Sequence, residues 1–428
     1  MAFSRALRVL VVLPMYGGSL PIGRSCAAAL TGLGHAVEVF EAPAFYGAFS
    51  ALKDLRVTSD RLEYLENSFL QVVSQAVCAK AETFGPDLVL ALAQAPLSRQ
   101  ALKRLRRDGV ATAMWFVEDF RLFTYWETFA PYYDVFAVIQ QEPFLEKLAA
   151  VGQQNACYLP LAADPAVHRP LELSPVERRL YGARVSFMGA GYANRRLAFA
   201  QLLDYGLAIF GSDWDGDATL APRVRLDGRR VGTDEAVRIF NAADVNLNLH
   251  SSVSVERLVT GGDFVNPRTF ELAMCGAFQL VDRRTLLPEL FGEDELAQFG
   301  DMEELKERLG YFLGHPEARA AFAARARARA LKEHTYARRM EALLDFVAVR
   351  LSGWPRRERG GEALSGLPED MREEVAALLR ELSLPPDVSF DDLIWAVRAR
   401  QGVLSPLETS LLFLDEWRRQ YGRERAGK

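Results

Sequence analysis

"ARVSFMGAGYANRRLAFA", residues 183–200, restarts a pattern that the chain has already used once. An apolar run over 183–189 ends in a turn holding Gly189 and Gly191, and a helical pattern follows over about 193–204. The N-terminus has the same plan. There "LRVLVVL" (7–13) leads into the turn "PMYGGSLPIG" (14–23) and then "GRSCAAALTGLG", a helix closing at Gly34. A strand, a glycine-containing turn and a helix, met twice, mark the starts of two α/β units.

Working outward from each start, short β-branched runs alternate with helical patterns. After the first come "AVEVFEA" (36–42), "PDLVLAL" (86–92), "VATAMWFV" (110–117), "YDVFAVI" (133–139) and "NACYLPL" (155–161), with a long amphipathic segment over about 60–84. After the second come "LAIFG" (207–211), "ADVNLNL" (243–249) and "AFQLVD" (277–282), with helical patterns at about 233–242 and 267–275. Apolar strands separated by helices predict parallel sheets covered on both faces. The expected organisation is two Rossmann-like domains, 1–165 and 176–351, joined through the proline-rich stretch 160–175. Residues 301–351 read as helical, 352–362 as a polar linker and 363–428 as a small helical extension.

With 428 residues, half of them hydrophobic, the chain has the material for more than one sizeable core. A net charge of −5 gives no electrostatic case for nucleic acid, and the arginines of 318–329 read as a solvated helix face. Cys26, Cys78, Cys157 and Cys275 lie far apart with no metal-ligand spacing, which points away from zinc or a disulfide framework. The first residues imitate a secretion signal, but Pro14, Gly17 and Gly18 break the run early, and the expected location is the cytoplasm.

In open α/β sheets, ligands bind beyond the carboxyl ends of the strands. Four places there carry chemistry. Gly17 and Gly18 lie in the first turn, where backbone can approach a ligand or merely reverse the chain. Gly189 and Gly191 precede a helix start bearing Arg195 and Arg196, a set that suits a pyrophosphate as well as solvent. Asn194 takes the place of the third glycine of the dinucleotide fingerprint. In "GGDFVNPRTFELAMCGAFQLVD" (261–282), Asn266 can cap a helix starting at Pro267, with Thr269 in its first turn and Gly276 at its end. Arg268 and Glu271 share one face of that helix, and Asp263 lies in the loop before it. A carboxylate there can hold two ribose hydroxyls; an ordinary capped helix explains the same residues. In the fourth place, Glu118 and Asp119 follow a first-half strand and are candidates for a general base, or for solvated acids. His250 follows "VNLNL" at the mouth of the second sheet, as a catalytic or a structural histidine.

These residues carry a resemblance. The segments "YYDVFAVIQQEPFLEKLAAVGQQNACYLPLAADPAVHRP", "VSFMGAGYANRR", "LAIFGSDW", "ADVNLNLHSS" and "NPRTFELAMCGAFQLVDRR" resemble the CgeB-like glycosyltransferases, over about residues 5–350. The resemblance implies a GT-B fold, with two Rossmann-like domains facing a cleft. It implies a nucleotide-sugar donor (a UDP-, GDP- or dTDP-sugar) in the second half, an acceptor in the first, and no separate cofactor. Glu271 would then hold the donor ribose, with Arg268 and Arg195 or Arg196 steadying the diphosphate. Asp263 stands where wider retaining relatives have the first Glu of a Glu-x7-Glu pair, a shorter side chain at that point. "SDWDGD" (212–217) reads as a polar loop, so no catalytic metal is expected. Inversion would need Asp119 or Glu118 as base; retention is the expected course, with Asp263 giving electrostatic help. Rival readings are an NAD-dependent dehydrogenase with Asp213 on the ribose, a sugar-nucleotide epimerase, and a non-catalytic assembly protein. The C-terminal helices are candidates for docking a protein partner or a second copy.

Overall fold

The computed structural model describes residues 6–252, 258–259, 262–355, 369–382, 384, 388, 390–400 and 402–421. Strands β1 (Arg8–Val12), β2 (Ala36–Phe40), β3 (Leu88–Leu92), β4 (Ala111–Phe116), β5 (Val135–Val138) and β6 (Ala156–Tyr158) form the first sheet, in the order β2-β1-β3-β4-β5-β6. Strands β7 (Ala183–Met188), β8 (Leu207–Phe210), β9 (Ala243–Asn248), β10 (Gln279–Asp282) and β11 (Ala297–Phe299) form the second, in the order β11-β10-β9-β7-β8. Every pairing in both sheets is parallel. The two sheets share one winding, and each reverses direction beside its first strand: between β1 and β3, and between β7 and β9. Those reversals open the crevices where α/β sheets bind ligands.

The central strands of the first sheet are largely apolar because helices cover both faces. β1, β3 and β4 are buried along their whole lengths. The second core packs Val185, Phe187, Ile209, Val245, Leu247 and Leu280 from the strands against Phe199, Leu305 and Phe312 from helices. Where the sequence reads one helical stretch over 301–351, three helices stand: Met302–Gly314, Pro316–Glu333 and Tyr336–Arg350. Pro316 and Thr335 set the breaks, each at the favoured place at a helix start. β11 is an addition to the sequence expectation, and so is the helix Pro175–Tyr181 at the end of the proline-rich connection.

The connection and the last helix bind the halves together. Ala163 forms a parallel bridge with Thr335, and its N–H donates to His334 O at 3.0 Å. Arg339 donates to Pro160 O and Leu161 O, at 2.6 Å and 3.1 Å, and Tyr336 packs edge-on to Trp115 of β4. Residues up to Ser352 accordingly form one compact unit. A second unit, from Gly353, carries helices Glu369–Glu381, Phe390–Ala399 and Pro406–Tyr421 around a core including Val375, Leu379, Leu393, Ile394 and Leu411. No helix among the described residues is long and apolar enough to cross a membrane.

Candidate functional site

The helix Pro267–Met274 begins at a point fixed from several sides. Asn266 Oδ1 accepts the Thr269 N–H at 3.0 Å, the N-cap bond expected of an asparagine before Pro267. Asn266 Nδ2 donates to Asn248 Oδ1 at 2.9 Å, and Asn248 Nδ2 donates to Thr269 Oγ1 at 2.9 Å. The Asn266 backbone N–H donates to His250 Nε2 at 2.9 Å. His250 Nδ1 in turn lies 2.7 Å from Asp282 Oδ1, which also accepts the His250 backbone N–H. With Nε2 accepting, the ring proton sits on Nδ1 and is donated to Asp282. Burial holds His250 below its ordinary pKa. Both ring nitrogens are therefore used inside the protein, and the structure makes His250 a strut beneath the helix instead of a base facing the cleft. Asn266 and Thr269 belong to the same buried network. Phe270, Leu272, Ala273 and Met274 form the buried side of the helix, so Arg268 and Glu271 emerge on the other.

That other side lines a cavity of about 620 Å³. Its wall from the first half includes Gly18 and Arg24, at the start of the helix Ser19–Gly32; its wall from the second half includes Gly189, Asp213, Arg230 and Thr233. Arg268 Nη1 donates to Glu271 Oε2 at 2.6 Å, and its guanidinium lies 4.6 Å from the centre of the Phe240 ring. His168, from the connection between the halves, places Nε2 3.9 Å from Glu271 Oε1. Its Nδ1 accepts the Asp164 N–H, which leaves the Nε2 proton towards Glu271. Arg230 is exposed at the cavity edge and has no ion pair among the described residues. Sequence reasoning missed His168 and Arg230. A signal existed only for the second, in the basic pair of "RRVGTDE" just ahead of the helix Thr233–Ala242.

Arg195 and Arg196 do not face this cavity. Arg195 is buried and donates to Leu249 O at 2.7 Å and to Ala190 O at 2.9 Å, and burial lowers its pKa to about 10. Arg196 donates to Gly191 O at 2.9 Å and to Asp213 O. The sequence expectation of two cations aimed at a pyrophosphate is thus corrected, because loop carbonyls beyond the strand ends capture both. Gly191 likewise serves close packing, since a Cβ there would stand 2.1 Å from Asp213 O. Gly189 lines the cavity. Asn194, in the third-glycine place, donates to His250 O at 3.0 Å and accepts from Ser252 N at 3.2 Å, so it ties down the loop after β9.

The remaining candidates gather at the end of the first sheet. Glu118 accepts from Gln94 Nε2 at 2.6 Å and from the Tyr125 hydroxyl at 3.1 Å, and burial raises its pKa. Gly17, at φ +105°, passes close to Gln94 in a conformation that favours glycine. Asp119 accepts the Arg121 N–H at 2.9 Å. Asp263, nine-tenths buried, receives Gln140 Nε2 at 2.8 Å on Oδ1. None of Glu118, Asp119 and Asp263 lines the 620 Å³ cavity.

Comparison with known proteins agrees with this geometry. Residues 173–345, which carry β7 to β11 and the Arg268–Glu271 helix, match the family described as glycosyl transferase-like. This half is similar to the glycosyl transferase-like proteins. The CgeB-like resemblance also holds: the chain is 25% identical to spore protein CgeB of Bacillus subtilis over 266 residues, 57% of this chain and 78% of that one. The fold is GT-B, as its structural neighbours show. Sucrose-phosphate synthase from Thermosynechococcus elongatus aligns with TM-score 0.54 at 13% identity, over 81% of this chain and all of that one. HepE of Anabaena, solved in complex with UDP-glucose, aligns with TM-score 0.53 at 12% identity, over 80% of this chain and all of that one. A glycosyltransferase from Rickettsia africae gives 0.56 at 10% identity, over 82% of this chain and all of that one. The matched half thus sits in a two-sheet frame of the GT-B kind, with its Arg268–Glu271 face towards the cavity.

Proposed function

We propose that the chain transfers a sugar from a nucleotide-sugar donor to an acceptor with retention at the anomeric carbon. The observation that carries this reading is the Arg268–Glu271 pair, set on a capped helix start on the wall of a cavity bounded by both halves. In this reading Glu271, steadied by Arg268 and His168, accepts the two ribose hydroxyls. The start of the helix Pro267–Met274 and the guanidiniums of Arg268 and Arg230 take the diphosphate. When the bond between the anomeric carbon and the diphosphate breaks, its electron pair leaves on the phosphate oxygen. The acceptor oxygen forms the new bond from the same face, and its proton passes to the departing phosphate. Preorganised cations and amide dipoles stabilise that growing charge without reorganising, so these residues supply the compensation that a metal would otherwise give. HepE, a GT-B protein captured with UDP-glucose, supports a donor of that chemical class.

The test is a titration with UDP, GDP, dTDP and CMP sugars, followed by melting temperature and calorimetry. NAD is the control, because Asp213 at the end of β8 lines the same cavity, where a dinucleotide-binding fold would place its ribose acid. One nucleotide family should raise the melting temperature saturably, and Glu271→Ala should weaken its affinity about tenfold or more while the fold stays intact. Stabilisation by NAD alone, or unchanged affinity in Glu271→Ala, would overturn the reading.

A further inference from the structure

His168 lies in the connection between the halves, largely buried, on the wall of the cavity that Glu271 also lines. Its place is set from both sides. The backbone N–H groups of His168 and Val167 donate to Asp164 O at 2.7 Å and 3.1 Å, and Ala163 just before is bridged to Thr335. Beyond it, the Leu171 N–H donates to Asn241 Oδ1 at 3.0 Å, and Asn241 Nδ2 donates to Arg169 O at 3.1 Å. The ring is oriented too, because Nδ1 accepts the Asp164 N–H at 3.2 Å and the proton stays on Nε2. That nitrogen stands 3.9 Å from Glu271 Oε1, too far for a direct hydrogen bond. It is instead the span of two hydrogen bonds that share one oxygen: legs of about 2.9 Å and 2.7 Å at roughly a right angle subtend about 4 Å. An oxygen there accepts from His168 and donates to Glu271. Arg268 already holds Glu271 Oε2 at 2.6 Å, which leaves Oε1 for a ligand.

We propose that His168 and Glu271 together hold one ribose hydroxyl of the donor, and that this bridge selects nucleotides whose ribose carries both hydroxyls. The inference rests on the transferase reading above, which puts the ribose at Glu271 but gives its hydroxyls only an acceptor. A carboxylate alone asks for an O–H. With His168 on the other side, the same oxygen must donate and accept at once, which a hydroxyl does and a C–H does not. A nucleotide lacking that hydroxyl leaves the His168 N–H and Glu271 Oε1 without their shared partner in a largely buried place. Sites built to hydrogen-bond a substrate hydroxyl reject the analogue without it for this reason. The selecting residue comes from the connection between the halves, and the contacts on either side of it keep the ring in register with Glu271.

The test compares UDP, GDP and CMP with their 2′-deoxy and 3′-deoxy forms by calorimetry on the full chain. In the wild type, the form lacking the bridged hydroxyl should bind about tenfold or more weakly than its parent. His168→Asn keeps an acceptor for the Asp164 N–H, since the asparagine Oδ1 stands near the place of Nδ1, and removes the Nε2 donor. In this variant the parent should weaken more than the deoxy form, so that their ratio narrows to about threefold or less. The ratio compares two ligands on one protein, so any loss of stability in His168→Asn cancels from it. Equal weakening of parent and deoxy forms would make His168 a structural residue and overturn the inference. Wild-type affinities that ignore both deoxy substitutions would overturn it too, and would leave only water in the gap. Stabilisation by dTDP-sugars alone would overturn the selection while the transferase reading stands. Failure of every nucleotide sugar to bind would overturn the transferase reading itself, and that result is visible before any variant is made.

Discussion

The Asn266 N–H and His250 Nε2 meet at 2.9 Å, so the helix bearing Arg268 and Glu271 starts from an atom that the second sheet holds in place. Asp282 fixes the imidazole, and the imidazole fixes the helix start. Replacing His250 with leucine removes the acceptor for Asn266 and leaves the fully buried Asp282 without its ring partner. We expect a loss of about 3 kcal/mol in denaturant unfolding, together with weaker nucleotide binding as the helix start loosens. If His250 acted as a base, unfolding would stay unchanged while turnover fell, and that pattern would refute the strut.

Arg195 and Arg268 should part company under substitution. Arg195→Ala leaves Leu249 O and Ala190 O without their donors, so it should cost about 2–3 kcal/mol of stability. Any change in nucleotide affinity should then follow from unfolding and disappear at lower temperature. Arg268→Ala removes a half-buried side chain from the cavity wall, so it should weaken nucleotide affinity about tenfold with little change in melting temperature. Calorimetry and thermal melts on the two variants check both expectations. Loss of affinity without loss of stability in Arg195→Ala would return that residue to the ligand site.

His334 gives the protein a pH dependence with a definite sign. Its Nε2 is 2.8 Å from Leu290 O, its Nδ1 accepts from Arg339 at 2.8 Å, and burial pulls its pKa down to about 4. An unfolded histidine titrates near 6.5. The unfolded chain therefore takes up the proton first, and this contribution is level above about pH 6.5 and falls as the pH drops towards 4. The full loss is about 3 kcal/mol. His334→Gln keeps a donor for Leu290 and an acceptor for Arg339 but does not titrate. Denaturant unfolding between pH 7 and 4.5 should give a shallower decline for this variant than for the wild type. Equal slopes would show that His334 does not carry the effect.

The parts of this molecule that could be read in advance are those whose cause is local. Apolar runs such as "LRVLVVL" and "PDLVLAL" became buried parallel strands, and Asn266 with Pro267 marked a helix start that the structure keeps. Ser174 and Glu177 offered a capping-box signal for the helix Pro175–Tyr181, but the surrounding prolines masked it. β11 was out of reach because a three-residue strand carries no period. The direction taken by Arg195 depends on carbonyls that only the folded strand ends bring near. His168 comes beside Glu271 through the crossing of the connection, a closeness that no spacing along the chain expresses.

The bridge between Ala163 and Thr335 also changes how the two halves should be counted. The chain leaves the first half at that seam and re-enters it at the same seam, finishing with the helix Tyr336–Arg350 seated on the first half. The second sheet and its helices are topologically an insert whose two ends lie side by side. A cut at the proline-rich connection would strip the first half of its closing helix. Excision of the whole stretch between the two seams would leave adjacent ends to rejoin, as neighbouring ends permit in other inserted domains. Exchange of second halves between relatives of this architecture therefore has a natural pair of junctions, and they are one strand spacing apart.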